Sequence, residues 1–478
     1  MINEEGNKKT WKSNGPGMIA GALLLMPALC SAVDYYVDPV LGVDNLVCDL
    51  ANPCQTIRHT VTLTVNGDIV HLEAGTYQES GITINTDINI RGAGRINTFI
   101  EPQSIPNRVF NINSTNVMIS RLTIQNGNVY DVASSTFENG GAIRLNNGSL
   151  LLSNVNVRNN DALAGGAIDH ASSGYLYVLG SSIQDNWASA LGGAIHCDNC
   201  GGVFTLFSAI SDNTAGSEGG AIYMESSDIV SVLSGLSHND GYKGGAISAL
   251  GGAVHVFSSK VANNVSRNMD GGAIFGSGTG VNIQNSTFSG NDASNLSNGG
   301  AIALTAGGWL TVANSTFSSN IAHFAGAISL TDKFGVGPIA AIHSSTFYAN
   351  TGNFDTNHIS LGSASSLNLN NVIVAGGGNS FADECSVFGA IGGGDNLIDD
   401  GSCGFPVNPV TNLDTTLSYN GGVTKTHNLL VGSNAIDAGN SATCTSPYTG
   451  LVLQYDQRAR PNSRIVGVSC DIGAIEVQ

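Results

Sequence analysis

The apolar and polar positions of this chain fall into short runs that alternate with a period of two. Leu150/Leu152, Leu176/Val178, Val281/Ile283 and Leu310/Val312 each straddle one intervening residue. Such alternation marks a strand with one buried face. Two further marks accompany the runs. GGAI begins at Gly140, Gly165, Gly192, Gly219, Gly244, Gly271 and Gly299, with a degenerate AGAI at Ala325, in steps of 25, 27, 27, 25, 27, 28 and 26 residues. An apolar residue, two others and an asparagine keep the same beat, at Asn160, Asn186, Asn213, Asn239, Asn264, Asn291, Asn320 and Asn350. Each repeat therefore reads as three short strands: one at GGAI, one at the alternating run, one ending at the asparagine. None carries a helical period.

A unit of this kind cannot bury its own apolar face, so successive units must stack. The predicted fold is all-β, a right-handed parallel β-helix of about a dozen coils, on the order of 55 Å long at the usual spacing between strands. The Ile of each GGAI points inward and forms a column. The asparagines form a ladder of side-chain amides, and the Gly pair allows a tight corner at positive φ. A second GGAV at Gly251 opens the second strand of its own coil. Upstream, "GDIVHLEAGTYQES" and "NVMISRLTIQNGNV" continue as strand–turn units.

Four segments follow. Residues 1–32 carry Lys8, Lys9 and Lys12, an apolar run from Met18 to Leu29, then Cys30, Ser31 and Ala32. This is the pattern of a secretory leader cut after Ala32. Residues 33–66 form an N-terminal cap, 67–375 the β-helix and 376–478 a disulfide-bonded C-terminal domain. No later segment is long and apolar enough for a transmembrane helix. The expected location is secreted or cell-surface, and capped ends favour a monomer.

Charge changes the picture by exclusion. The chain carries 18 Lys and Arg against 36 Asp and Glu, a net charge of −18, or −19 without the leader. An acidic exported chain is a poor partner for nucleic acid. Eight cysteines remain beyond Cys30, an even number suited to an oxidising compartment. Sequence leaves their pairing open; closeness along the chain couples Cys48 with Cys54, Cys197 with Cys200, Cys385 with Cys403 and Cys444 with Cys470. The C-x-x-C at Cys197 lies on a GGAI strand, where alternation turns Cys197 inward between His170 and Met224, a poor place for a metal.

Several stretches resemble known families. "YYVDPVLGVDN…NPCQTIRHTV…NGDIVHLEAGTYQE" is similar to the first coils of pectin-lyase-like β-helix proteins, with a capping helix near Thr56 to Thr64. The GGAI and FxxN marks resemble repeats of polymorphic outer-membrane proteins, which are surface adhesins. "YNGGVTKTHNLLVGSNAIDAGN", "DQRARP" and "CDIGAIE" resemble the choice-of-anchor Q domain of secreted or surface β-helix proteins. The resemblance implies an extracellular structural or binding protein.

The candidate chemistry lies on the GGAI strands. The residues after each inward Ile form an outward column: Arg144, Asp169, His196, Tyr223, Ser248, Phe275, Ala303 and Ser329. Asp198 and Glu225 follow one outward step later. Asp169, His196 and Tyr223 are the catalytic candidates, suited to acid/base work, and Arg144, Asp198 and Glu225 the binding candidates. No cofactor is implied; calcium is the ion these carboxylates would hold. The spaced Asp pairs, His-Gly and Arg-x-Lys of polygalacturonase-like hydrolases are not reproduced by Asn85-Thr86-Asp87 and Asp399-Asp400. The expected function is binding of a polysaccharide or cell-surface ligand without catalysis; a polysaccharide lyase or glycoside hydrolase is the alternative. Trp187, Tyr223, Tyr242 and Trp309 are the aromatics expected to meet sugar rings.

Overall fold

The computed structural model describes residues 32–478 except 105, 132–135 and 355. The leader expected over 1–32 thus lies outside the described residues, Ala32 excepted. The described chain is a right-handed parallel β-helix, the hand that parallel crossovers take. Its strands stack into four parallel sheets. Sheet I holds twelve strands and contains the GGAI strands; sheet II holds fourteen, sheet III thirteen and sheet IV eight. One coil shows the order: Ile168–His170 in sheet I, Tyr175–Leu179 in II, Ser182–Gln184 in III and Trp187–Leu191 in IV. Fourteen stacked strands give a rod of about 60 Å.

The fourth sheet was not expected. The segments between each Asn and the next Gly pair, such as Asp161–Ala164 and Trp187–Leu191, lie outside the three strands read for each repeat but pair in parallel from coil to coil. Their approach explains the second Gly of each pair. A Cβ on Gly193 would lie 2.1 Å from the Gly220 carbonyl oxygen, and one on Gly300 2.1 Å from that of Gly326. The first Gly turns the corner at φ between 58° and 78°, and Ala325 takes its place at φ 55°.

The core is the stack of inward columns. Ile143, Ile168, Ile195, Ile222, Ile247, Ile274, Ile302 and Ile328 are all buried and sit in matched register. The Asn ladder runs unbroken. Each Nδ2 donates to the Oδ1 of the next coil's Asn at 2.8–3.0 Å, from Asn160 through Asn350. The buried His358 closes it: its Nδ1 accepts from Asn350 Nδ2 at 2.9 Å, and its Nε2 lies 3.0 Å from Glu384.

The N-terminal end is closed by a single-turn helix, Ile57–Thr60, whose N-cap Thr56 accepts from the His59 amide. At the other end the strands Asp383–Val387, Ala390–Gly394 and Leu397–Ile398 add to sheets I, II and III. The coils therefore continue past residue 375, the limit read from the repeat. The tail then folds back along sheet III. Asn314 Nδ2 donates to the Tyr455 carbonyl at 2.7 Å, Thr316 Oγ1 to Gln457 Oε1 at 2.6 Å, and the Ala474 amide to Thr346 Oγ1 at 3.0 Å. Disulfides join Cys48–Cys54, Cys197–Cys200, Cys385–Cys403 and Cys444–Cys470. Among the described residues no helix is long and apolar enough to cross a membrane.

Candidate functional site

Sheet I places the column in the register read from sequence: Arg144 beside Asp169, then His196, Tyr223 and Ser248 on successive coils, with Asp198 beside Glu225. The contacts are tight. His196 Nδ1 lies 2.8 Å from Asp169 Oδ1, and Arg144 Nε lies 3.4 Å from Oδ2. The rings of His196 and Tyr223 stack at 5.7 Å, and the Tyr223 hydroxyl donates to Glu225 Oε2 at 3.2 Å. Burial, then the charge of Glu225, pushes the Tyr223 phenol above its ordinary range. It is held as a neutral donor, not as a base.

The column was expected to form an open polar patch, and here the structure differs. The side chain of Asp169 is 3 % exposed and that of His196 14 %. Tyr223, Phe275, Ser248 and Ser329 are also buried. The Gly corner contributes: a Cβ on Gly140 would lie 2.9 Å from the Asp169 Cβ, so the preceding coil's turn packs against the base of this side chain. Asp169 thus faces His196 with one oxygen and Arg144 with the other. Arg144 stays partly exposed, and Asp198 stays exposed, accepting from Asn199 Nδ2 at 2.6 Å. The row continues through groups that sequence did not single out: Glu218 accepts from Ser248 Oγ at 2.7 Å and pairs with Lys243 at 3.3 Å, and the Lys243 ammonium lies 3.8 Å from the Phe275 ring centre.

Cys197 is fully buried between His170 and Met224, bridged to Cys200. His170 is also fully buried, with no hydrogen-bond partner on either ring nitrogen. Burial lowers it to about 4, against a weaker pull upward from the backbone of Gly174 and Gly202 and from Asp169. Among the described residues, one group of side chains stands at metal-binding distance, Cys48, Cys54 and His59. Both of its thiols are spent in the first disulfide.

The accessible features lie on the outer face of sheet II. Tyr175, Tyr177 and Phe204 stand on adjacent coils, with Tyr177 and Phe204 stacked at 5.4 Å and Tyr175 edge-on to Phe204 at 5.6 Å. Tyr175 is 42 % exposed and nearby Phe207 65 %. Leu179, Leu206 and Val232 extend this face, each half-buried. The alternation that assigned Leu176 and Val178 to the core already turned Tyr175 and Tyr177 outward. Of the four aromatics expected to meet ligand, Trp187 and Tyr242 are exposed, Trp309 is half-buried and Tyr223 is buried.

This architecture defines the class: a disulfide-bonded parallel β-helix with a folded-back tail. No protein-family profile and no curated protein matches the chain. Solved structures similar to it include the GH136 lacto-N-biosidase from Eubacterium ramulus, 10 % identical, over 76 % of this chain and 67 % of that one at a TM-score of 0.42. A rhamnogalacturonan lyase is 12 % identical over 88 % of this chain and 99 % of that one, at 0.38. Pectate lyase Pel9A is 14 % identical over 94 % and 97 %, at 0.35. With TM-scores below one half, these likenesses bear no weight on this chain's chemistry.

Proposed function

We propose that the protein is an extracellular carbohydrate-binding β-helix, a rigid rod of the choice-of-anchor Q kind that holds polysaccharide without cleaving it. The observation that carries this reading is the outer face of sheet II, where Tyr175, Tyr177 and Phe204 present a continuous aromatic surface. Aromatic rings on a flat rigid sheet offer large apolar area with little entropy to lose, the chemistry that meets the C–H faces of sugar rings. The burial of Asp169 supports binding over catalysis, because a general base must reach the proton it takes. The four disulfides suit an oxidising compartment. The tail residues of "DQRARP" support the family reading: Gln457 bonds Thr316 and Thr287 of the coils, and Asp456 holds Arg458.

The test incubates the protein with acidic and neutral polysaccharides, with and without calcium. Retention on the polymer is measured beside new reducing ends and absorbance at about 235 nm from unsaturated products. Binding without product is expected. Product that disappears in His196→Ala and Asp169→Ala would put the lyase or hydrolase reading in its place.

A further inference from the structure

Toward the C-terminal end, the outer face of sheet II acquires a wall. The tail segment from Cys444 to Val452 forms a small hairpin, with Thr445 bridged to Val452 and the Ser446 amide donating to the Leu451 carbonyl at 2.8 Å. Its base is tied by the Cys444–Cys470 disulfide. Tyr448 stacks on Trp309 at 5.7 Å and meets His255 edge-on at 5.8 Å. Between this hairpin and the strands Ile339–His343, Ser366–Asn370 and Ala390–Gly394 lies a groove of about 670 Å³. That volume lies within the range of small-molecule sites.

The lining has a definite chemistry. No Asp, Glu, Lys or Arg takes part in it. His343 Nδ1 faces the Thr445 carbonyl oxygen at 2.9 Å and so donates; its Nε2, 3.2 Å from Asn370 Nδ2, accepts. Both bonds are made together only by the neutral ring, and burial lowers its affinity for a second proton. The same Asn370 amide gives its other hydrogen to Asn368 Oδ1. This fixes the orientation of Asn368, whose Nδ2 is left exposed with no hydrogen-bond partner among the described residues. Ser366 adds a hydroxyl, and Ile339, Ala341 and Ala390 supply apolar floor. Oriented amide donors beside an uncharged apolar floor match a ligand of many hydroxyls and C–H faces. A carboxylated sugar would lose water there and find no opposite charge.

We propose that this groove is a binding site for a neutral oligosaccharide, fixed by the Asn368 amide and closed on one side by the Thr445–Gly450 hairpin. The inference rests on the carbohydrate-binding reading and adds to it a place and a charge class.

The test uses the full chain with its disulfides intact. Isothermal titration is run with xylohexaose, mannohexaose, cellohexaose and an oligogalacturonate. At least one neutral oligomer binds, and the oligogalacturonate binds more weakly. Asn368→Ala weakens the neutral ligand about tenfold, the loss of one well-placed hydrogen bond. Gly392→Trp abolishes binding by filling the groove; a Cβ there meets only Asn368 Nδ2, at 3.6 Å, so the backbone has room. Leu296→Ala, at an exposed position of sheet IV outside the groove lining, leaves the affinity unchanged, and equal melting temperatures show that each variant is folded. Binding that survives both groove substitutions overturns the groove and leaves the carbohydrate reading standing. Tighter binding of the oligogalacturonate overturns the charge class. A parent protein that binds no saccharide at all overturns both readings.

Discussion

Acidification should open the coils around His170 before it opens their neighbours. The imidazole is fully buried in the inward column between Leu145 and Cys197, and its pKa falls from 6.5 to about 4. The sign follows from which state holds the proton. Between these two values the unfolded chain is protonated at this ring and the folded chain is not, so stability is lost as pH falls through the window. Above it the ring is neutral in both states; below it the loss is complete, at about 3 kcal/mol from about 1.4 kcal/mol per pH unit. At pH 5 the loss relative to pH 7.5 is about 2 kcal/mol, or roughly thirtyfold in local opening. Because a solenoid unfolds in segments, hydrogen exchange is the suitable probe. Amides of Ile168–His170 and Ile195–Asp198 are compared in the parent and in His170→Leu, each at pH 7.5 and pH 5. The ratio of the two proteins at a given pH cancels the intrinsic exchange chemistry. It should change roughly thirtyfold between the two conditions, with Leu the more protected at pH 5. A ratio that stays constant would refute the reasoning, because the buried ring would then not be what the acid reaches.

Glu476 should act with the opposite sign. Burial raises it to about 7, opposed by the Asp471 amide and the charge of Arg464 and reinforced by the charge of Asp471, so its contribution holds the tail below pH 4.5 and is lost as pH rises toward 7. Limited proteolysis of the tail should therefore speed up from pH 5 to pH 7.5, and Glu476→Gln should flatten that slope. The two glycines of one corner should differ although a Cβ would crowd at both: Gly299→Ala, at φ 69° and 2.2 Å from the Ile302 carbonyl oxygen, costs about 1–2 kcal/mol, because Ala325 at the same place in its own coil shows that this corner yields to a methyl. Gly300→Ala, which drives a methyl to 2.1 Å from the Gly326 carbonyl oxygen, costs about 3 kcal/mol or more. Urea titration of both variants ranks them. Asn264→Ala removes an acceptor for two donors of Asn239 and a donor to Leu236 and Asn291. Leaving those buried groups unpaired costs about 2–4 kcal/mol, read as lost exchange protection confined to the coils on either side.

What the sequence made legible was direction, and what it hid was cover. A period of two and a 26-residue beat are enough to say that Ile195 points in, that His196 points out and that Asp169 lies beside it on the next coil, because parallel strands in register place equivalent residues side by side. The ladder was legible for the same reason: an asparagine at one place in every coil meets its own kind on the coils either side. Nothing in alternation says whether an outward residue meets water. Asp169 is sealed where Gly140, a residue with no side chain, lets the preceding coil's corner close on its Cβ, a closeness that no period along the chain announces. The groove was hidden for a related reason. His343, Asn368 and Asn370 are ordinary outward residues of sheet II until a hairpin about a hundred residues after His343 arrives to bond the first of them. In a solenoid, contacts between neighbouring coils repeat and can be read from the repeat, whereas contacts made by a returning tail occur once and leave no period to find. Function in such a rod is therefore to be sought where the repeat is broken, and here the tail crosses sheet II where the uncharged groove forms.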